Sequence, residues 1–225
     1  MTLLWTLFVS LLVLLSQPGF AAEEKRTDFL NHAAAVIAGD GVLIASNSNA
    51  FPYSVRIVGG EKSKLSFEAG QILVGTTDFL FRNTVVWIKD LAMKERGDDR
   101  KVLGAHAAWE SKDLNVLTGQ KLSAKPNFVN VNGRTWAHWT YDLSASLHRS
   151  KNQKAGNPPA PDLVRQHYLT TVVGKYIVVL VTDSRSGSGE QATQAALLRV
   201  AGTFVVYPEA LSPEQMSALA KQKQP

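Results

Sequence analysis

Residues 181–200 read VTDSRSGSGEQATQAALLRV, and the reading of this stretch decides the fold. A β-rich run ends, Gly187-Ser188-Gly189 follows, and a helical period opens with Ala192 completing the outline G-x-G-x-x-A. A dinucleotide cradle requires a strand leading straight into the first glycine, a parallel second strand, and an acid about 20 residues on. Glu209 stands at that distance, but Thr182 to Ser186 lengthen the turn and only one short β-rich run follows. A nucleophile elbow, G-x-S-x-G, is not spelled either, and no His follows Ser188. Helix capping accounts for the residues better. Ser188 and Gln191 form S-x-x-Q, Glu190 opposes the helix dipole, and Gly202 is placed to end the helix as its C′ residue. The stretch is therefore expected to be a polar turn that opens a covering helix.

The run before it fixes the pairing of the strands. In RQHYLTTVVGKYIVVLVTD (165–183) two β-rich segments meet at Gly174-Lys175, a two-residue turn with glycine first. NFVNVNGRTWAHWTYDL (127–143) carries Asn132-Gly133 between extended runs, the strongest short-range hairpin signal. Both turns demand antiparallel neighbours. Upstream, DFLNHAAAVIA (28–38) places Phe29, Leu30, Ala33, Val36 and Ile37 on one helical face, with Thr27 as cap and Gly39 as stop. SVRIVGGEKSKLSF (54–67) reads as a hairpin about Gly59-Gly60, and strand character continues through QILVG and DFLF to TVVWIKDLAM, ending at residue 93. From Asp99 the period changes: Leu103, Ala107, Glu110, Leu114 and Leu117 form a helix seam, with Asp98 or Asp99 as cap and Gly119 as terminator. The chain closes with the short run TFVVY and a helix starting at Pro213, for which Ser212 and Gln215 form a capping box.

The N-terminus bounds the compartment. Leu3 to Leu15 is an uncharged apolar run of 13, broken by Pro18-Gly19 and followed by small residues. That is the layout of a secretory signal, too short to span a bilayer comfortably, with cleavage expected after Ala21 and Ala22 as the second choice. An anchor left uncleaved is the alternative. The absence of Cys excludes a lipid-modified cysteine, a disulfide and any thiolate site. Residues 22–225 then make one domain carrying the whole formal charge of +5. The charges are dispersed rather than striped, which excludes a nucleic-acid footprint and leaves anionic lipid or polysaccharide as charge-compatible surfaces.

Candidate site residues fall into three groups. His106 and Glu110 share a helix face, which would suit an exported hydrolase but falls short of a metal set, and no metal or cofactor is expected. On the strand 136–143, Trp136, His138 and Thr140 point to one side and Ala137, Trp139 and Tyr141 to the other. Where this strand meets His167 and Tyr168, an aromatic pocket for a small apolar or anionic ligand is expected. The stretch LHRSKNQKAGNPPAPD (147–162) is a basic surface loop, and Arg149, Lys151 and Lys154 with Arg165 form a candidate anion site. Asp78, Asp90, Asp142 and Asp183 fall near strand ends, as turn residues do, so no carboxylate pair supports a glycosidase.

From residue 120 to 206 the order of NGRTWAHWTYDL, RQHYLTTVVGKYIVVLVTDS and GEQATQAALLRVAGTFVV resembles the PsbP-like α/β/α-sandwich superfamily, which includes the extrinsic photosystem II subunit and Ran-binding relatives. The resemblance implies an α+β fold, a mainly antiparallel sheet covered by helices, with 28–38 and 99–118 as further cover. It also implies a non-enzymatic accessory or binding module of the cell envelope, with an envelope partner or small ligand. It carries no functional residue onto a position of this chain.

Overall fold

The computed structural model describes residues 32–38, 41–59, 63–68, 70–91, 93, 97–118, 121–142, 163–185 and 189–222. In chain order the strands are β1 Ala33–Ala38, β2 Gly41–Ser46, β3 Tyr53–Val58, β4 Lys64–Glu68, β5 Gln71–Gly75, β6 Leu80–Trp87, β7 Asn127–Val131, β8 Arg134–Asp142, β9 Leu163–Val173, β10 Tyr176–Arg185 and β11 Val205–Val206. The helices are α1 Asp99–Thr118, α2 Glu190–Gly202 and α3 Pro213–Lys221. Two antiparallel sheets result: a large one in the order β4-β5-β6-β10-β9-β8-β7 and a small one in the order β1-β2-β3-β11. The fold class is α+β, as the two turn signals required.

Both turns have the geometry their sequences demand. Asn132 (φ 51°) and Gly133 (φ 76°) are both left-handed, as a type I′ turn needs, and they bring Val131 opposite Arg134. Gly174 (φ 58°) sits between the paired Val173 and Tyr176. The strands they join bury alternate faces. Ile177, Val179 and Val181 of β10 pack with Trp139, Tyr141 and Tyr168 beneath Val102, Leu103, Ala107 and Leu114 of α1. Val178 and Leu180 pack the other way, with Trp136 and Leu169, against Ala196, Leu197 and Val200 of α2 and Val42, Ile44, Val55 and Ile57 of the small sheet. Each fully buried aliphatic side chain contributes about 1.5–3 kcal/mol, so these two cores fix the register. A slip of one residue would turn every strand inside out. On α1, Asp98 caps as expected, its Oδ1 accepting the Lys101 N–H at 2.8 Å. On α3 the Ser212/Gln215 capping box is formed, with Pro213 in the first turn. None of the described helices is long and apolar enough to cross a membrane.

Five expectations need correction. Residues 33–38 are a strand, paired from Ala33↔Ser46 to Ala38↔Gly41, rather than the end of a helix. The run Ala-Ala-Ala-Val-Ile is too short for its period to decide, and pairing with β2 outweighs the helix preference of alanine. Val36 and Ile37, expected inside, are 44% and 55% exposed. The segments about Gly59-Gly60 do not pair with each other: β3 joins β2 and β11, whereas β4 joins β5. At Gly59 a Cβ would stand 2.2 Å from Thr76 Cγ2, so glycine is required where the chain leaves the small sheet. Strand β6 ends at Trp87, opposite Tyr176 where β10 begins, and a 3-10 turn over Ile88–Leu91 replaces the strand expected to residue 93. For α2 the N-cap is Gly189 with no side-chain cap bond, so Gln191 is not the third residue of a box. Ser188 lies outside the described residues. Finally, Gly202 is the last helical residue of α2 and Thr203 the C-cap, in right-handed conformation, so the left-handed glycine end is not used.

Candidate functional site

Strand alternation divides the aromatic set of the 136–141 strand between the two faces of the large sheet. On the α1 face, Trp139 and Tyr168 stack with ring centres 5.3 Å apart, and Tyr141 meets Tyr168 edge-on at 5.4 Å. Ser111 Oγ donates to Ala107 O (2.8 Å) and receives the Tyr141 hydroxyl (2.9 Å) and the Ala124 N–H (2.9 Å). Burial raises the phenol pKa of both Tyr141 and Tyr168, so they stay protonated and act as donors. This is close packing, tied to α1 by the hydrogen bond from Tyr141 to Ser111, while Trp139 Nε1 has no hydrogen-bond partner among the described residues.

A buried charge adjoins it that the sequence did not disclose. Tyr168 donates to Gln166 Oε1 (2.5 Å), Gln166 Nε2 donates to Asp183 Oδ1 (3.1 Å), and Arg82 Nη2 reaches the same oxygen at 2.7 Å. Asp183, read above as a turn residue, is thus inside β10 and 5% exposed, and Arg82 on β6 is 6% exposed. Neighbouring strands bring the two together across 101 residues of chain. Strand β6 gave no local sign that its arginine points inward. His106 and Glu110 do meet, Nε2 to Oε1 at 3.4 Å, with His106 buried between Trp109 and Trp139.

The opposite face holds Trp136, His138 and His167. Trp136 is fully buried and edge-on to Phe204 at 5.2 Å. His138 and His167 lie nearly parallel with ring centres 5.7 Å apart. Thr182 is the direct cross-strand partner of His167 on β10, and Thr193 faces the sheet from the first turn of α2. Burial lowers the pKa of both imidazoles. For His167 burial, His138 and Arg165 outweigh the opposing pull of Glu190, and the value falls to about 4. Arg165, placed among the basic loop residues by sequence, forms an ion pair with Glu190 at 2.7 Å beside the imidazoles. Arg149, Lys151, Lys154 and the 147–162 loop lie outside the described residues.

A cleft that no sequence motif signals opens at the other end of α2. It has a volume of ≈ 620 Å³, with Val58, Phe79, Phe81 and Val200 as apolar wall and Arg56, Arg199 and Asp78 as its charged groups. Phe81 and Val200 belong to the main core, and Phe79 packs against it. Arg56 is held in place from several sides. Its Nη2 donates to Leu219 O (2.8 Å) and Gln222 O (3.1 Å) at the end of α3, and its backbone N–H donates to Thr203 Oγ1 (2.8 Å). Arg199 and Asp78 stand exposed on the rim. Spacing could not have revealed the cleft, because residues 56, 78 and 199 meet only when both sheets and α2 are assembled. Among the described residues no group of three or more His, Cys, Asp or Glu is placed to hold a metal ion.

No protein-family model matches this chain, and no curated protein matches it. Among solved structures it is similar to a crystal structure from Bacteroides thetaiotaomicron, at 12% identity and a TM-score of 0.38, covering 81% of this chain and 50% of that one. The chain thus spans about half the length of that protein. It is also similar to the solution structure of cyanobacterial PsbP (CyanoP) from Synechocystis, at 11% identity and a TM-score of 0.39, covering 75% of this chain and 87% of that one. At this identity and TM-score the likeness says nothing of ligand, partner or reaction.

Proposed function

We propose that this chain is an exported, non-catalytic binding protein of the cell envelope, and that the Arg56–Arg199 cleft holds a small ligand with an anionic group and an apolar body. The observation that carries the reading is a cleft of ≈ 620 Å³ whose lining combines Arg199, Arg56 and Asp78 with the apolar residues Phe79, Phe81 and Val200. That volume lies within the roughly 300–1,000 Å³ typical of small-molecule sites, which combine apolar lining with a few placed polar groups. Hydrogen bonds from Arg56 Nη2 to the Leu219 and Gln222 carbonyls tie its side chain to the end of α3. Arg199 on the rim is placed to meet a carboxylate or phosphate bidentately, while Phe79 and Phe81 accept the apolar part. Asp78 disfavours ligands bearing a second negative charge near it. Export is supported by the apolar run Leu3 to Leu15 and the small residues after Pro18.

Native mass spectrometry of protein purified from its own envelope is the direct test, with decanoate added to refolded protein as a defined probe. A retained or added ligand should be held by the wild type and lost in Arg199→Glu and in Phe79→Ser, with circular dichroism unchanged. Absence of both a retained molecule and decanoate binding would overturn the proposal, as would undiminished binding in the two variants.

A further inference from the structure

One of the two guanidinium groups that line the cleft is already engaged by α3. Arg56 is 6% exposed, and its Nη2 donates to Leu219 O at 2.8 Å and to Gln222 O at 3.1 Å. Those carbonyls belong to the last turn of α3 and to its C-cap. Backbone oxygens there lack helical partners, and the helix dipole favours a cation. The main chain of Arg56 is held separately, because Thr203 Oγ1 on the cleft wall accepts its N–H at 2.8 Å. The side chain can therefore change partners while its Cα stays in β3.

The helix that holds this side chain is itself lightly held. It has nine residues and none of them is buried, whereas α2 buries Ala196, Leu197, Val200 and Ala201. An isolated helix of that length is unstable in water, so α3 depends on its docking and on the Ser212/Gln215 capping box. It packs across β1 and β2. There Leu43 and Ala45 are buried on the face of β2 opposite to Val42 and Ile44, which enter the main core. Elements with few buried contacts open at low free energy. Arg56 thus stands between two claimants, the neutral carbonyls of a loosely docked helix and the cleft.

We propose that α3 is an autoinhibitory strap: docked, it keeps Arg56 in its last turn, and an anionic ligand in the cleft draws Arg56 away and releases it. This rests on the reading of the cleft as a site for an anionic ligand. Arg199, exposed on the rim, makes the first contact with the anion. A guanidinium bonded to a carboxylate or phosphate gains roughly twice what it gains from a neutral acceptor, so the exchange of partners is favourable for an anion and not for an uncharged ligand. Release of α3 uncovers the Leu43 and Ala45 face of the small sheet, and occupancy of the cleft is thereby reported at a separate surface. By linkage, whatever loosens α3 tightens ligand binding by the same factor.

The test measures decanoate binding to the full-length protein by calorimetry, and amide hydrogen exchange of residues 213–222 with and without saturating decanoate. Bound decanoate should speed exchange across α3 at least about fivefold. Ser212→Ala with Gln215→Ala removes the capping box and leaves the residues lining the cleft unchanged. It should tighten decanoate binding about fivefold, since one lost cap loosens α3. Exchange that bound decanoate leaves unchanged or slows overturns the strap, as does equal affinity in the capping variant, and both results leave the cleft reading standing. Decanoate that binds neither the wild type nor the capping variant overturns the strap and the cleft reading together. In Phe79→Ser, which damages the apolar wall, decanoate should leave α3 exchange at its ligand-free rate. A rise there would place the effect of decanoate outside the cleft and overturn the strap.

Discussion

Acid should destabilise this protein through His167, by an amount the structure sets. In the unfolded chain the imidazole takes a proton near its ordinary value of 6.5, whereas in the fold burial, His138 and Arg165 push that value down to about 4. Between these values the unfolded state binds more protons than the native one, so stability rises with pH across the window. The contribution is intact above about 6.5 and is lost as pH falls toward 4. At about 1.4 kcal/mol per pKa unit the loss is somewhat over 1 kcal/mol by pH ~5.5 and about 2–3 kcal/mol by pH ~4.5. His138, shifted in the same direction by burial, adds to it. The assay is urea unfolding in phosphate-free buffer, followed by tryptophan fluorescence at several pH values in this range, for the wild type and for His167→Gln. Glutamine does not titrate, and the carboxylates titrate in both proteins, so the difference between the two curves isolates the imidazole. The wild type should lose stability relative to the variant on acidification. Two curves that stay parallel across the window would refute the burial argument, whatever their absolute heights.

Two further outcomes follow from the fold. Arg82→Met should cost about 3–5 kcal/mol in urea unfolding, because it strands the Asp183 carboxylate at 5% exposure. Arg82→Met with Asp183→Leu should recover most of that loss, and a double variant no better than the single one would contradict the pairing. Gly133→Val should lower stability by about 1–2 kcal/mol. A Cβ at Gly133 meets nothing within 4 Å, so the whole cost comes from the left-handed φ of 76°, and an unchanged melting temperature would show that the turn is not left-handed.

The candidate site was legible only in part, and the particular residues show why. Alternation along β8 placed Trp136 and His138 on one face and Trp139 and Tyr141 on the other, because side-chain direction in a strand depends on parity alone. Parity could not say what covers each face. The set expected as one pocket is accordingly divided between two packed environments, one under α1 and one under α2. Asp183 looked like a turn residue because strand ends and turns share composition; its partner Arg82 lies in a different strand. Likewise Ala33 to Ile37 fits a helix in isolation, and only the antiparallel partner β2 selects the strand.

By itself the sequence determined the features that depend on a few adjacent residues. These are the two hairpin turns at Asn132-Gly133 and Gly174-Lys175, the antiparallel pairing they impose, the period of α1, and the capping box of α3. Such signals are steric and hydrogen-bonding constraints within about one turn of chain. The tertiary structure alone decided the separation of β3 and β4 into different sheets, the Arg82–Asp183 pair, the cleft that Arg56 and Arg199 both line, and the burial of His167. Each of these joins residues far apart in sequence, and burial and desolvation act between whatever surfaces the packed sheets bring together, regardless of distance along the chain.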